Sequence, residues 1–325
     1  MSPRPRVALL ALGGTIAAPV DEAGSGARMT LTADDIAGDL GSRAGVELDT
    51  RTVRMVASSN LTLDDVRDVA RAIEVTDADG VVVTVGTDAL EEVAFALDVA
   101  LGGDRPVVVT GAMRNVGHPG ADGPANLLGA LRVATHPDAR GQGVLVVLND
   151  EVHLARYVRK THTSSPGTFR SPSLGAIGWL VEDRVRLPLA RRRRPEPVPF
   201  GDGPLPSVAL VRLTLGDDPA LITAAVDTGA AGLVLETFGA GHVAEVALPA
   251  VRAAASRVPV VFASRTGAGE LYENVGAFPG SERDLLEAGL VPAGDLDGTK
   301  ARLLLVLLLQ AAADDAAIRR AFADG

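Results

Sequence analysis

The sequence predicts an α/β protein: a larger N-terminal domain built on a parallel sheet with helices on both faces, then a smaller C-terminal α/β domain. Three observations carry this. Short aliphatic runs bounded by turn residues alternate with longer segments of helical period, the pattern of strand-helix-strand units. The strand candidates are apolar throughout rather than alternating, as strands covered on both faces are. The core must also be made of small side chains, because 47% of the 325 residues are hydrophobic while the chain has only one Trp, two Tyr and seven Phe.

In order, strands are expected at 7–12, 80–85, 106–110 and 143–148, with helices at 63–76, 88–101 and 125–134 between them. The first of these helices places Val66, Val69, Ala70 and Ile73 on one stripe. Thr62 and Asp88 are the expected N-caps, with Glu91 completing a capping box after Asp88. Asp122 is expected to cap the third helix, with Pro124 in its first turn. From 185 to 206 the pattern breaks into Pro, Gly and the run Arg191 to Arg194, read as a solvated linker without function. The predicted domains are therefore 1–187 and 207–325, joined by a linker at 188–206. Beyond it, strands are expected at 208–213, 232–235 and 258–262, and helices at 219–228, 243–256 and 299–313.

Composition excludes several kinds of chemistry. The absence of Cys removes disulfides, thiolate nucleophiles and cysteine metal clusters. A net charge of -10 and few aromatic residues oppose binding to nucleic acid or to an anionic membrane. The longest apolar run, 303–313, falls short of the roughly 20 residues a spanning helix needs. Arg4 and Arg6 followed by the apolar run 7–18 resemble a leader, but Gly13-Gly14 interrupts the run. The segment reads as a first strand, and the protein as cytoplasmic. The expected partner is a small polar molecule, with neither metal nor organic cofactor.

Ligands of open parallel sheets bind outside the carboxyl ends of the strands. Four polar or Gly-rich turns fall there: Gly13-Gly14-Thr15, Gly86-Thr87-Asp88, Gly111-Ala112-Met113-Arg114 and Asn149-Asp150. Gly-Gly-Thr after a strand permits close backbone approach and leaves a hydroxyl at the rim, which suits a nucleophile or a phosphate cradle. The chain lacks a P-loop sequence and a Gly-x-Gly-x-x-Gly after this strand, so nucleotide binding loses ground.

Together, Leu12-Gly13-Gly14-Thr15-Ile16, Val85-Gly86-Thr87-Asp88, Gly111-Ala112-Met113-Arg114 with Ala121-Asp122-Gly123-Pro124, and Lys160-Thr161 resemble the bacterial-type L-asparaginase family in order and spacing. The resemblance continues to Gly294-Asp295 and Lys300-Ala301-Arg302 and so covers nearly the whole chain. It implies hydrolysis of the side-chain amide of L-asparagine to aspartate and ammonia without a cofactor. It also implies a homo-oligomer, a dimer or tetramer, with the site near a subunit interface. Thr15 matches the nucleophile, Thr87 the second catalytic threonine, and Asp88 and Lys160 its partners. The expected substrate-binding positions are Gly14, Ser58, Ser59, Gly86, Ala112, His242 and Glu282. A neutral threonine hydroxyl is a poor nucleophile and needs a base or charged neighbour, which Lys160 supplies beside Thr87.

The chain departs from the family at the loop 20–31, which lacks the customary tyrosine; Met29 stands nearest its place. Leu12 and Ala89 replace threonines, and His242 stands where an asparagine is common. His118 is expected to be an exposed turn residue. The altered loop leaves two alternatives: an amidase for glutamine or another small amide, and a catalytically silent amino-acid-binding member.

Overall fold

Four aliphatic segments form the centre of the larger sheet because β-branched side chains suit strands buried on both faces. The computed structural model describes residues 3–20, 26–190 and 194–323, and the chain forms two units, Met1–Arg194 and Pro195–Gly325.

The first unit begins with β1 (Arg6–Gly13), α1 (Ala33–Ala37), α2 (Leu40–Ala44) and β2 (Glu47–Val56). It continues with α3 (Leu63–Val75), β3 (Gly80–Thr84), α4 (Leu90–Ala100), β4 (Val107–Thr110), α5 (Gly123–Ala134) and β5 (Val144–Leu148). β6 (Glu151–Leu154) turns back from β5, β7 (Arg159–Lys160) pairs with β8 (Phe169–Arg170) in a separate ribbon, and β9 (Gly178–Val181) and β10 (Arg184–Arg186) complete the sheet. The sheet order is β10-β9-β6-β5-β4-β3-β1-β2.

Five strands, β2 to β5 with β1 among them, run parallel, whereas β6, β9 and β10 extend the sheet through antiparallel pairs. The sheet is thus mixed rather than wholly parallel. The reversal occurs at Asn149-Asp150, both at positive φ (53° and 61°), the conformation of a two-residue hairpin turn that Asn and Asp tolerate. This motif serves the hairpin and does not line the cleft described below. β2 is a further strand that the sequence pattern does not predict, because Glu47-Leu48-Asp49-Thr50-Arg51 alternates like the exposed edge it forms.

Alternation puts Val7, Leu9, Val82, Val108, Leu145 and Val147 on one face, packed with Leu40 of α2 and Leu127 and Leu131 of α5. Their neighbours Ala8, Leu10, Val81, Val83, Val107 and Val109 are equally buried and face the other side, where α4 packs. α3 starts where expected, with Thr62 and Asp65 bonding reciprocally as a capping box, and buries Val66, Val69, Ala70 and Ile73. α4 starts later than expected: its N-cap is Ala89, so Asp88 makes no cap and its carboxylate is free for another partner. Asp122 sits at the N-cap of α5 but its side chain does not cap either; it receives the amides of Met113 (3.0 Å) and Arg114 (2.8 Å) instead.

Of the arginine run, only Arg194 lies within the described residues, and it departs from expectation. Arg191, Arg192 and Arg193 lie outside the described residues, as do residues 21–25 of the loop. Arg194 is no solvated linker residue: its guanidinium bonds the carbonyls of Asp98 (2.8 Å) and Leu101 at the end of α4, where four carbonyls lack helical partners.

The second unit holds four parallel strands, β11 (Val208–Arg212), β12 (Gly232–Thr237), β13 (Val260–Ser264) and β14 (Val291–Pro292), in that order. Its helices are α6 (Ala220–Asp227), α7 (Leu248–Ala255), α8 (Glu282–Glu287), α9 (Gly298–Gln310) and α10 (Asp315–Ala323). The apolar run that ends the sequence pattern forms α9, whose 13 residues pack on β11, β12 and β13. Among the described residues no helix is long and apolar enough to cross a membrane.

Candidate active site

β1 connects to β2 on one side, and the chain then crosses back through α3 to β3 on the other. The connections that leave the carboxyl ends of the paired strands β1 and β3 therefore run in opposite directions, and a crevice opens outside those ends at this switch point. A cleft of about 180 Å³ lies there, lined by Gly14 and Thr15 after β1, Ala57 and Ser58 after β2, Gly86, Thr87 and Asp88 after β3, and Ala18, Ala27, Met29 and Asn115. That volume is below the ~300 Å³ at which pockets for drug-sized molecules begin, so the ligand is small.

Glycines let the turns meet. Gly14 has φ +82°, and a Cβ there would lie 2.3 Å from the Cα of Gly86. A Cβ on Gly86 would lie 2.7 Å from Ser58 Oγ. Gly14→Ala is accordingly expected to lower stability by about 1–3 kcal/mol and to remove most activity, because the threonine turns must separate. Calorimetric melting together with an activity assay checks this; native values of both would contradict it.

Thr87 is buried, and its Oγ1 accepts from Lys160 Nζ at 3.0 Å. The same ammonium pairs with Asp88 Oδ1 at 2.6 Å. Asp88, released from capping, is 72% exposed and keeps a second oxygen for a ligand. Lys160 comes from β7, far along the chain, and Glu91 in the first turn of α4 holds its backbone amide. Ser58 is buried and its Oγ accepts from the amide of Ala89 at 3.3 Å, which leaves its O–H free to donate to an acceptor in the cleft. Thr15 is half-buried at the start of a short 3-10 turn, and among the described residues nothing bonds its hydroxyl.

The turn after β4 is held by Asp122 and by Asn126, whose amide donates to the carbonyl of Gly111 at 2.9 Å. Ala112 is buried there and does not line the cleft, and Ser59 is exposed and does not line it either. His118 is exposed in a bend. Sequence reasoning misses Asn115, although it lies one residue past the Gly111-to-Arg114 motif; its Nδ2 donates to the carbonyl of Ala18 at 3.1 Å and braces the cleft's far wall. Met29, which the sequence marks only as standing in a tyrosine's place, has a definite contact. Its Sδ accepts from the amide of Gly14 at 3.2 Å, beside Thr15.

The ribbon that carries Lys160 is pinned from behind. Ser171, just after β8, bonds Nδ1 of buried His153 on β6 at 3.0 Å, and His153 Nε2 faces Glu151 at 3.4 Å. Burial holds the His153 pKa below its usual value; Glu151 pulls it up and Arg170 pushes it down. The folded protein thus resists a proton that the unfolded chain takes up near pH 6.5. Between that pH and the lower folded pKa the unfolded state binds more protons, so this contribution to stability falls as pH falls. His153→Gln is expected to flatten the decline in melting temperature between about pH 6.5 and pH 5; an unchanged slope would contradict it.

His242 and Glu282 belong to the second unit. Glu282, in the first turn of α8, is fully buried and accepts from the amides of Val275 (2.7 Å) and Gly276. His242 Nε2 lies 3.2 Å from its other oxygen. Burial pushes the Glu282 pKa up, but the amides of Gly276, Glu282 and Val275 and the charge of His242 more than offset this, and the net direction is down. The pair fixes the 275–276 segment, and His242 packs edge-on against Phe278.

The fold and cleft define a two-unit α/β protein whose site rests on threonine hydroxyls at a sheet switch point, one of them tied to a lysine and an aspartate. The family model for the asparaginase N-terminal domain matches residues 6–192, and that for the glutaminase/asparaginase C-terminal domain matches residues 207–322. The chain belongs to the asparaginase family. It is 34% identical to the L-asparaginase of Bacillus licheniformis over 309 residues, covering 94% of this chain and 95% of that one. It is 37% identical to a probable L-asparaginase of Deinococcus radiodurans over 325 residues, covering 99% and 98%. L-asparaginase 2 of Bacillus subtilis is 34% identical over 336 residues, covering 98% of this chain and 86% of that one.

Proposed function

We propose that this protein hydrolyses the side-chain amide of L-asparagine to L-aspartate and ammonia. The observation that carries the reading is the Thr87–Lys160–Asp88 chain of contacts, at 3.0 and 2.6 Å, whose threonine and aspartate line one small cleft with Thr15, a hydroxyl that nothing bonds among the described residues. Thr15 Oγ attacks the amide carbon, forming a C–O bond while the carbonyl becomes an oxyanion held by amides of the 14–15 and 86–88 turns. The hydroxyl proton passes to the departing nitrogen, the C–N bond breaks and ammonia leaves. Water then attacks the ester and releases aspartate and Thr15. Thr87, Lys160 and Asp88 move and hold the protons of these steps, Asp88 also receives the substrate ammonium, and Ser58 donates to its α-carboxylate.

Ammonia release from asparagine, glutamine and simple amides tests this. Asparagine is expected to be turned over best; glutamine differs by one methylene, which a pocket discriminates by about 10–200-fold. A protein that binds aspartate yet releases ammonia from none of them would overturn the proposal.

The working form proposed is a homo-oligomer, a dimer or tetramer, with the cleft near an interface; the 72% exposure of Asp88 in the single chain supports it, and light scattering tests it. The compartment proposed is the cytoplasm. Cell fractionation tests it.

A further inference from the structure

We propose that Met29 is a modification site: peroxide-class oxidants convert its thioether to a sulfoxide that closes the cleft, and reduction of the sulfoxide reopens it. The inference rests on the cleft being the amino-acid site proposed above.

The chain has no Cys and four methionines, Met1, Met29, Met55 and Met113, so its peroxide-reactive sulfurs are thioethers. Among the described residues Met29 is the methionine that lines the cleft, and it is half-buried, within reach of a small oxidant. Its Sδ lies 3.2 Å from the amide nitrogen of Gly14, immediately before Thr15. A thioether is a weak acceptor on a flexible side chain, so a substrate oxygen can displace it from that amide at little cost.

Oxidation reverses this balance. The O–O bond of hydrogen peroxide breaks, one oxygen joins the Met29 sulfur and the other leaves as water; sulfur loses two electrons and peroxide gains them. The product is polar and chiral, and its oxygen is a far better acceptor for the Gly14 amide. In a cleft of about 180 Å³ the added oxygen also takes space beside Thr15 that the ligand needs. Methionine sulfoxide reductases, of which each type acts on one epimer, return the oxygen to water at the expense of a thiol pair.

The test treats the full-length protein with hydrogen peroxide, locates the added oxygen by peptide mass spectrometry, and measures ammonia release from asparagine and calorimetric binding of L-aspartate. The expected result is a loss of at least tenfold in aspartate affinity and in kcat/KM that tracks sulfoxide at Met29, restored by the two reductase types together. Met29→Leu, compared with its own untreated form, keeps its values after peroxide, while Met55→Leu and Met113→Leu lose as much as the parent. Unchanged aspartate binding with Met29 oxidised, or equal losses in Met29→Leu, would overturn the inference. If the untreated protein releases no ammonia but its aspartate binding is lost through Met29, the hydrolase reading fails and the inference stands.

Discussion

Thr15→Ala is expected to lower kcat for asparagine by on the order of 10³-fold or more while the protein stays folded. The hydroxyl begins the proposed bond change and no other group in the cleft replaces it at that position. Its removal costs little stability, because Thr15 is half-buried and nothing among the described residues bonds its hydroxyl. The melting temperature should therefore move by no more than the effect of about 0.5 kcal/mol. Rapid quenching of the parent with asparagine, followed by peptide mass spectrometry, should place the acyl group on the peptide that contains Thr15. An acyl group on the Thr87 peptide instead, or near-parental turnover by Thr15→Ala, would remove Thr15 from its role.

Thr87→Ala is expected to produce a loss of similar size by another route. Its Oγ1 is the acceptor for Lys160, and without it the ammonium keeps, among the described residues, the exposed Asp88. Proton movement to and from the reacting amide then loses its relay, whereas substrate binding through Ser58 and Asp88 is retained. The drop should appear in kcat with KM changed far less, and Thr87→Ser should recover a large part of it. Lys160→Met should lower kcat as well, and the double variant should be little worse than either single one, because groups that act as a unit are not additive. Additive losses in that cycle would show that Thr87 and Lys160 act independently.

Much of this architecture is legible in the sequence, for particular reasons. β1, β3, β4 and β5 fall within a residue or two of their expected places because strands covered on both faces have no polar positions to confuse the pattern. β2 escapes because an edge strand is half solvated, although the family resemblance assigns Ser58, just past its far end, to the site. Asp88 looks like a helix cap, since Asp followed by Glu three residues on is a local capping signal. Lys160, 72 residues away in the chain, claims that carboxylate instead. Met29 carries no signal beyond the missing tyrosine, because a methionine bonding a backbone amide has no sequence pattern.

The sequence by itself therefore determined the fold class, the order of the strand-end turns and the two threonine motifs, since strand burial and glycine turns are encoded within a few consecutive residues. Tertiary structure alone decided which groups meet. It took Asp88 from the helix to Lys160, set Met29 on the Gly14 amide and left the Thr15 hydroxyl without a partner among the described residues. Such contacts join residues distant in the chain, and their geometry follows from how strands and helices pack, which no local pattern records.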